Sequence, residues 1–389
     1  MNLLALVESP GHVCCRYRIA AFEPCLKALG IHVHYEAVAS SPWLRLQQMR
    51  SARNYDAVIL QRKLIDALSL AVLRKSARHL VFDFDDAVVY RDSYSSKGHY
   101  DMKRAARFRQ IVTQADLVLA GNSFLAQIAD EHGAKAQSIH YMPTCIDLAA
   151  YDRIRLQAEP LPTEDLIMVW IGSSSTLKGL EATSRLWDRI GRYVPSAVLK
   201  VVCDRFPAFE NLRVQPVSWS EATEIQEIVT SHVGISHVPD DLWSRGKCGL
   251  KVLQYMAGGL PVLTNPVGVH GEMVRSGESG FLLNRPAEWV EAVHWLSENP
   301  ESARAMGREG LEAVRSGYDT ATWGPFFADR VMPGSLPVEW SHEMGCGQKG
   351  SQFETSHGRL TSESGRSWKI ESDSAMPEPH RDPKRSLRR

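Results

Sequence analysis

The sequence predicts an α/β protein of two consecutive domains, each with a parallel sheet covered on both faces by helices, followed by a disordered tail. Three observations carry that prediction. Short β-rich apolar runs alternate with longer helical stretches. The alternation pauses at Ala149–Asp165, a polar stretch with Pro160 and Pro162, and then restarts. From about Met332 the composition turns to Ser, Gly, Glu, Arg and Pro with few aliphatic residues, too little apolar area to offset ordering. The length of 389 residues suits two domains of roughly 100–200 residues. Hydrophobic residues at 44% and charged residues at 23% are those of a globular chain.

In chain order, Leu3–Val7 reads as the first strand and ends in the turn-like Ser9-Pro10-Gly11. Tyr17–Leu29 has helical spacing, His32–Val38 is strand-like, and Trp43–Arg53 is a basic helix. Ala57–Leu60 and His79–Phe84 are strands around the helix Ala67–Ser76. Asp101–Gln114 is an Arg-rich helix, Leu117–Ala120 a strand and Ser123–His132 a helix. The second domain opens with the strand Leu166–Ile171, a loop Gly172–Lys178 and a helix Gly179–Tyr193. Strands Val198–Cys203, Val233–His237 and Pro261–Thr264 then alternate with helices Ser220–Ser231 and Lys251–Ala257. Ala287–Asn299 and Pro300–Ser316 are two further helices. The expected domains are 1–150, 151–332 and the tail 333–389.

Bulk properties narrow the function. Formal net charge is zero, which argues against a nucleic-acid partner. The seven cysteines are odd in number and form no C-x-x-C pair, so a reducing, cytoplasmic setting is expected. No apolar run approaches the ~18–20 residues that span a bilayer. The amino terminus lacks a basic n-region, so no signal peptide is expected. No H-E-x-x-H, G-x-S-x-G or G-x-x-x-x-G-K-[ST] pattern is present. Arg45, Arg50, Arg53, Arg62, Lys63, Arg74, Lys75 and Arg78 crowd the first domain. They are either solvated helix faces or attract an anionic lipid or glycan, with peripheral contact at the inner membrane face as one consequence. The basic end Arg381–Arg389 is expected to be a solvated tail, with a contact to acidic lipid as the alternative.

Ligands of α/β sheets bind outside the carboxyl ends of the strands, and two such domains make a cleft there. The chief candidate segment is Arg245-Gly-Lys-Cys-Gly-Leu-Lys-Val-Leu-Gln-Tyr-Met-Ala-Gly-Gly-Leu-Pro-Val262. A glycine turn opens a short helix whose free N–H groups attract phosphate, and Arg245, Lys247 and Lys251 add positive charge. Lys251 and Gln254 lie one turn apart, so both can face one ligand. The alternative, on chemistry alone, is a capped surface helix with solvated cations.

This segment resembles the donor-site motif of GT-B glycosyltransferases of the family-4-like group (glycosyl transferases group 1), E-G-F-G-L-x-x-L-E-A-M-A-x-G-x-P-V. Gly249-Leu250, Leu253, Met256-Ala257, Gly259 and Pro261-Val262 match in register. The family's two glutamates fall on Gly246 and Gln254, and the form R-G-K-C-x-x-K-x-L-Q-Y-M-A looks like a variant group. Trp170-Ile-Gly-Ser-Ser-Ser-Thr-Leu-Lys-Gly179 is similar to the family's G-R-x-x-x-x-K-G diphosphate clamp, with Gly172 and Lys178 matching and Ser173 in place of the arginine. Asn265–Glu272 resembles the loop after the donor strand, where Val267 and Gly268 would approach the donor and His270 and Glu272 are either ligand contacts or turn residues. Gly277-x-x-Gly280-Phe-Leu-Leu283 resembles the strand after it. In the first domain, Gly11 stands in the family's glycine loop, and Arg16 and Arg18 either match the variant group's R-x-R or are a surface pair at a helix start. Asp83 and Asp85 spell a literal D-x-D, so a metal is the rival reading there; a sugar contact by Asp85 or Asp86 is the expectation. Gly121-Asn-Ser-Phe-Leu125 and Tyr141–Asp147 resemble segments of architectural role.

The resemblance covers residues 1–330. It implies two Rossmann-like domains, an acceptor-side domain and a donor domain, closing around a UDP- or GDP-type sugar. The implied reaction is hexosyl transfer to an acceptor hydroxyl, retaining and without metal or other cofactor, in glycan, glycolipid or cell-envelope polysaccharide synthesis. Arg245, Lys251 and Lys178 would neutralise the diphosphate. Gly172, Ser173, Gly249, Leu250, Gln254, Val267 and Gly268 would bind the donor, and Gly11, Arg16, Arg18, Asp85 and Asp86 would face the sugar and acceptor. The alternatives are a GT-B nucleotide-sugar epimerase and a degenerate nucleotide-sugar-binding protein.

Overall fold

The computed structural model describes residues 1–158 and 164–336. The reading of the tail falls, from residue 337 onward, outside the described residues, as do Pro160 and Pro162.

Six strands, β1 (Asn2–Val7), β2 (His32–Ala37), β3 (Ala57–Gln61), β4 (Leu80–Phe84), β5 (Leu117–Ala120) and β6 (Ile139–Tyr141), form one sheet in the order β2-β1-β3-β4-β5-β6. A second six-stranded sheet holds β7 (Leu166–Ile171), β8 (Ala197–Cys203), β9 (Arg213–Ser218), β10 (Val233–Ser236), β11 (Val262–Thr264) and β12 (Gly280–Leu282), in the order β12-β11-β10-β7-β8-β9. All these pairings are parallel. The expected two-domain α/β architecture is therefore present.

Parallel strands with helices on both faces read as near-continuous apolar runs rather than as alternating ones. Leu4, Leu6, Val58, Leu60 and Phe82 enter one core of the first sheet, while Leu3, Ala5, Ile59 and Val81 enter the other. Inner strands β3, β4, β5, β7 and β8 are buried throughout. The edge strand β9 carries Arg213, Gln215 and Pro216 and is largely solvent-facing, which is why no apolar run announces it.

Three segments differ from the sequence expectation. The proposed linker Ala149–Asp165 begins inside a helix, Leu148–Arg155, capped by Asp147 Oδ1 on the Ala150 amide (3.3 Å) and anchored by buried Leu148 and Tyr151. The expected loop Gly172–Lys178 turns helical at Ser174, giving two helices, Ser174–Ala182 and Ser184–Tyr193. A helix over Thr320–Val331, not read from the sequence because Gly324 and Pro325 interrupt its pattern, packs on the first domain. Phe327 stacks on Phe22 with ring centres 4.6 Å apart, and Ala328 and Val331 join the core of Leu3 and Ala5. The end of the expected 151–332 domain thus belongs to the first domain's core.

Strand order reverses beside β1 and β3 in the first sheet and beside β7 and β10 in the second. At such switch points neighbouring loops leave in opposite directions and open a crevice at the carboxyl ends.

Candidate active site

A cavity of about 940 Å³ lies between the carboxyl ends of the two sheets. It is lined from the first domain by Gly11 and His12 after β1 and by Asp85 and Asp86 after β4. The second domain contributes Gly172 and Ser173 after β7, His237 after β10, and the start of the helix Leu250–Ala257. That size suits a small-molecule ligand.

The local sequence explains the helix start. Gly249 is the cap residue at φ +67°, and a Cβ there would stand 2.5 Å from Met273 Sδ. Only glycine satisfies both the left-handed backbone and that approach. No side chain caps this end, and Gly249 and Leu250 line the cavity, leaving the first amides available to an anion.

Three lysines line the cavity, each above an aromatic ring: Lys251 Nζ is 5.3 Å from the Trp170 ring centre, Lys247 Nζ 5.8 Å from Trp243, and Lys178 Nζ 6.0 Å from Tyr94. None has a carboxylate partner among the described residues. Burial, and then the neighbouring Lys247 charge, push the Lys251 ammonium down to about 8. Uncompensated cations at an open helix start form a strong anion site.

Gln254 is 4% exposed, and its Nε2 donates to Tyr17 Oη at 3.0 Å. Tyr17 Oη donates to Glu224 Oε1 at 3.0 Å, and Trp219 Nε1 donates to Glu224 Oε2 at 3.0 Å. Glu224 and Tyr17 line the same cavity and were not legible as site residues. No local pattern marks them, because the network joins positions more than two hundred apart.

Arg62 is the one described non-glycine residue with positive φ, at +57°. Its Nη2 pairs with Asp86 Oδ2 at 2.7 Å, its Nη1 with Asp85 Oδ1 at 3.2 Å, and it also contacts Cys14 Sγ. A strained backbone held by two ion pairs fixes these carboxylates in place. Asp83 turns elsewhere: fully buried, it accepts from Arg18 Nε at 3.2 Å and Gln61 Nε2 at 3.3 Å. The literal D-x-D therefore addresses two separate sets of partners. His270 also lines the cavity, with Nδ1 2.8 Å from Thr264 Oγ1; burial lowers it to about 4, so it is neutral at pH 7. Glu272 is exposed and lies outside the cavity lining.

Of the expected residues, the structure brings together Lys251, Lys178, Gly172, Ser173, Gly249, Leu250, Gln254, Gly11, Asp85 and Asp86. It does not bring in Arg245, Val267, Gly268, Arg16 or Arg18. Arg245 is exposed, and its Nε pairs with Asp240 Oδ1 at 2.7 Å. Val267 is buried, and Gly268 packs against the Arg245 carbonyl. Arg18 is 1% exposed, locked to Asp83 and the Met142 carbonyl. Arg16 bridges the domains through Glu221 (2.9 Å) and Glu224 (2.7 Å).

The segment around Arg245 forms a seam with the first domain. Asn122 caps its helix through Oδ1 on the Leu125 amide (2.8 Å), and its Nδ2 donates to the Lys247 carbonyl (3.2 Å). Cys248 Sγ donates to the Asp85 carbonyl at 3.2 Å. A Cβ on Gly246 would stand 2.7 Å from the Ala87 backbone nitrogen. The position where the resembling motif has glutamate thus has no room for a side chain.

Residues 219–313 match the family described as glycosyl transferases group 1. D-inositol 3-phosphate glycosyltransferase of Nocardia farcinica is 24% identical over 248 residues, 55% of each chain, so this chain spans about half the length of that relative. HepE of Anabaena, solved in complex with UDP and glucose, superposes with a TM-score of 0.61 at 16% identity, covering 85% of this chain and 99% of HepE. Sucrose-phosphate synthase of Thermosynechococcus elongatus gives a TM-score of 0.66 at 16% identity, covering 89% of this chain and 100% of the other. The fold is GT-B, two Rossmann-like halves facing each other across the cleft. No helix among the described residues is long and apolar enough to cross a membrane.

Proposed function

We propose that the protein is a glycosyltransferase that moves a hexosyl group from a UDP- or GDP-type sugar to an acceptor hydroxyl. One observation carries the proposal: Lys251, Lys247 and Lys178, none paired with a carboxylate among the described residues, converge on a cavity that an uncapped helix start also faces. Such an arrangement suits a diphosphate, whose charge grows as the glycosidic bond breaks. The group 1 match over 219–313 and the UDP seen in HepE support the same ligand class.

In this reading the lysines and the helix amides hold the diphosphate and Gln254 faces the ribose. Asp85 and Asp86, fixed by Arg62, meet sugar hydroxyls. The acceptor oxygen bonds to the anomeric carbon while the carbon–oxygen bond to the diphosphate breaks, and the acceptor proton passes to the departing phosphate. Retention follows if attack and departure share one face. Fixed ammonium charge takes the part a metal would play, which is supported by the engagement of Asp83 with Arg18 and of Asp85 and Asp86 with Arg62. The acceptor is a glycan, lipid or small molecule, and the setting is the cytoplasm or its membrane face.

The closed Gly246 position favours one second reading, a protein that binds the nucleotide-sugar without turning it over. Calorimetry with UDP and GDP, and a nucleotide-sugar panel followed by mass spectrometry, separate the two. Binding with turnover is expected, and binding without release of nucleotide selects the second reading. Absence of nucleotide binding overturns both.

A further inference from the structure

A second cavity, of about 630 Å³, opens on the first domain and shares Arg62 and Trp243 with the first. Six cations line it, and they divide into two sets. Arg45 pairs with Asp66 at 2.9 Å, Arg62 with Asp85 and Asp86, and Lys63 with Glu8. Lys103, Arg104 and Arg107, all on the helix Met102–Gln114, make no ion pair among the described residues. Of the carboxylates that line this cavity, Glu8 is paired with Lys63, Asp66 with Arg45, and Asp101 is engaged by Arg91 at 2.8 Å and by the Lys103 and Arg104 amides.

The two arginines are anchored but not consumed. Arg104 Nε donates to the Val88 carbonyl at 3.0 Å, and Arg107 Nη1 donates to the Leu64 carbonyl at 3.1 Å. Each guanidinium has five N–H donors, so most of the fork remains unassigned. Lys103 and Arg104 also sit in the first turn of their helix, where the helix dipole disfavours cations. Three uncompensated positive groups in one concave site, against the dipole, make sense with an anion between them.

We infer that this second cavity binds the phosphate of an anionic acceptor, held by Lys103, Arg104 and Arg107, with the acceptor's hydroxyl directed past Arg62 into the first cavity. The inference rests on the glycosyltransferase reading for the word acceptor, but the anion site stands on its own geometry. The phosphate belongs either to a soluble phosphomonoester or to a lipid headgroup.

The test uses the full chain with UDP held saturating, so that the first cavity is filled, and inorganic phosphate as the probe in calorimetry. Saturable phosphate binding is expected, weakened at least tenfold, about 1.4 kcal/mol, in R104Q/R107Q, with UDP affinity unchanged. The exposed Lys103 allows K103Q as a variant that leaves the fold alone, with weakening on the order of twofold. No saturable phosphate binding, or equal binding in wild type, R104Q/R107Q and K103Q, overturns the inference. Vesicles then identify the source. Retention on phosphatidylglycerol but not phosphatidylcholine, lost in R104Q/R107Q, assigns a lipid phosphate; variant-sensitive phosphate binding without retention assigns a soluble one. If UDP does not bind while phosphate behaves as expected, the glycosyltransferase reading fails and the anion site remains.

Discussion

Arg245–Cys248 and Gly249–Ala257 adjoin in the chain and share one resemblance to a donor motif, yet the structure assigns them different tasks. The first stretch packs on the first domain: Gly246 lies against Ala87, Cys248 donates to the Asp85 carbonyl, and Asn122 reaches the Lys247 carbonyl. The second presents Leu250, Lys251 and Gln254 to the cavity. Lys247 belongs to both, with its backbone in the seam and its side chain over Trp243 in the cavity. The difference teaches that a cation's place in a motif does not tell whether it faces ligand. Arg245 has Asp240 within reach and uses it, whereas Lys251 has a ring beside it and no carboxylate partner among the described residues.

Substitutions on the two sides should separate stability from binding. The largest effect is expected at Arg18, an R-x-R residue that the structure moves from the cleft into the core. R18A leaves Asp83 buried with its guanidinium partner gone, and should lower stability by about 3–5 kcal/mol, read as a shift of the denaturant midpoint. A folded protein with an unchanged midpoint would return Arg18 to the list of ligand contacts. G246A should cost about 1–3 kcal/mol by forcing the seam apart at Ala87, and an unaltered melting curve would show that the domains do not need this contact.

K251A should reduce kcat/KM, or UDP affinity where no acceptor is known, at least tenfold, about 1.4 kcal/mol, with little change in melting temperature. Wild-type behaviour would remove Lys251 from the site.

The same lysine sets a pH dependence. Burial and Lys247 put its free-state value at about 8, so it is charged below that pH and loses its proton above it. A bound diphosphate favours the charged form and raises the value. UDP affinity should therefore fall about tenfold from pH 7 to 9, where the ligand's own charge is constant. K251R, charged throughout, should abolish the fall, and an identical profile in K251R would assign the dependence elsewhere. The smallest effect is expected at Arg245, where exposure and Asp240 leave little to lose: R245A should change UDP affinity by less than about twofold. A tenfold loss would mean that Arg245 exchanges Asp240 for ligand on binding.

What the sequence determined by itself is the part governed by local pattern. Apolar runs without alternation, such as Leu166–Ile171, announce strands buried on both faces, and their spacing by helices gives two parallel sheets with a cleft at their carboxyl ends. The turn at Gly249 and the helix behind it were equally legible, because the left-handed cap is a property of one residue and its neighbours. Interrupted or polar elements escaped, namely the edge strand β9 and the helix Thr320–Val331 with Gly324 and Pro325 inside it. Their formation depends on surfaces contributed by distant chain. Only the tertiary structure decided which charges face the cavity. Arg245 and Lys251 read alike in one dimension, and they part because one finds a carboxylate and the other does not. Tyr17 of the first domain joins Gln254 and Glu224 of the second, and Lys103, Arg104 and Arg107 make no ion pair among the described residues because Glu8, Asp66 and Asp101 beside them are engaged elsewhere. Charge type is written in the residue, but charge compensation is a property of neighbours that the fold supplies.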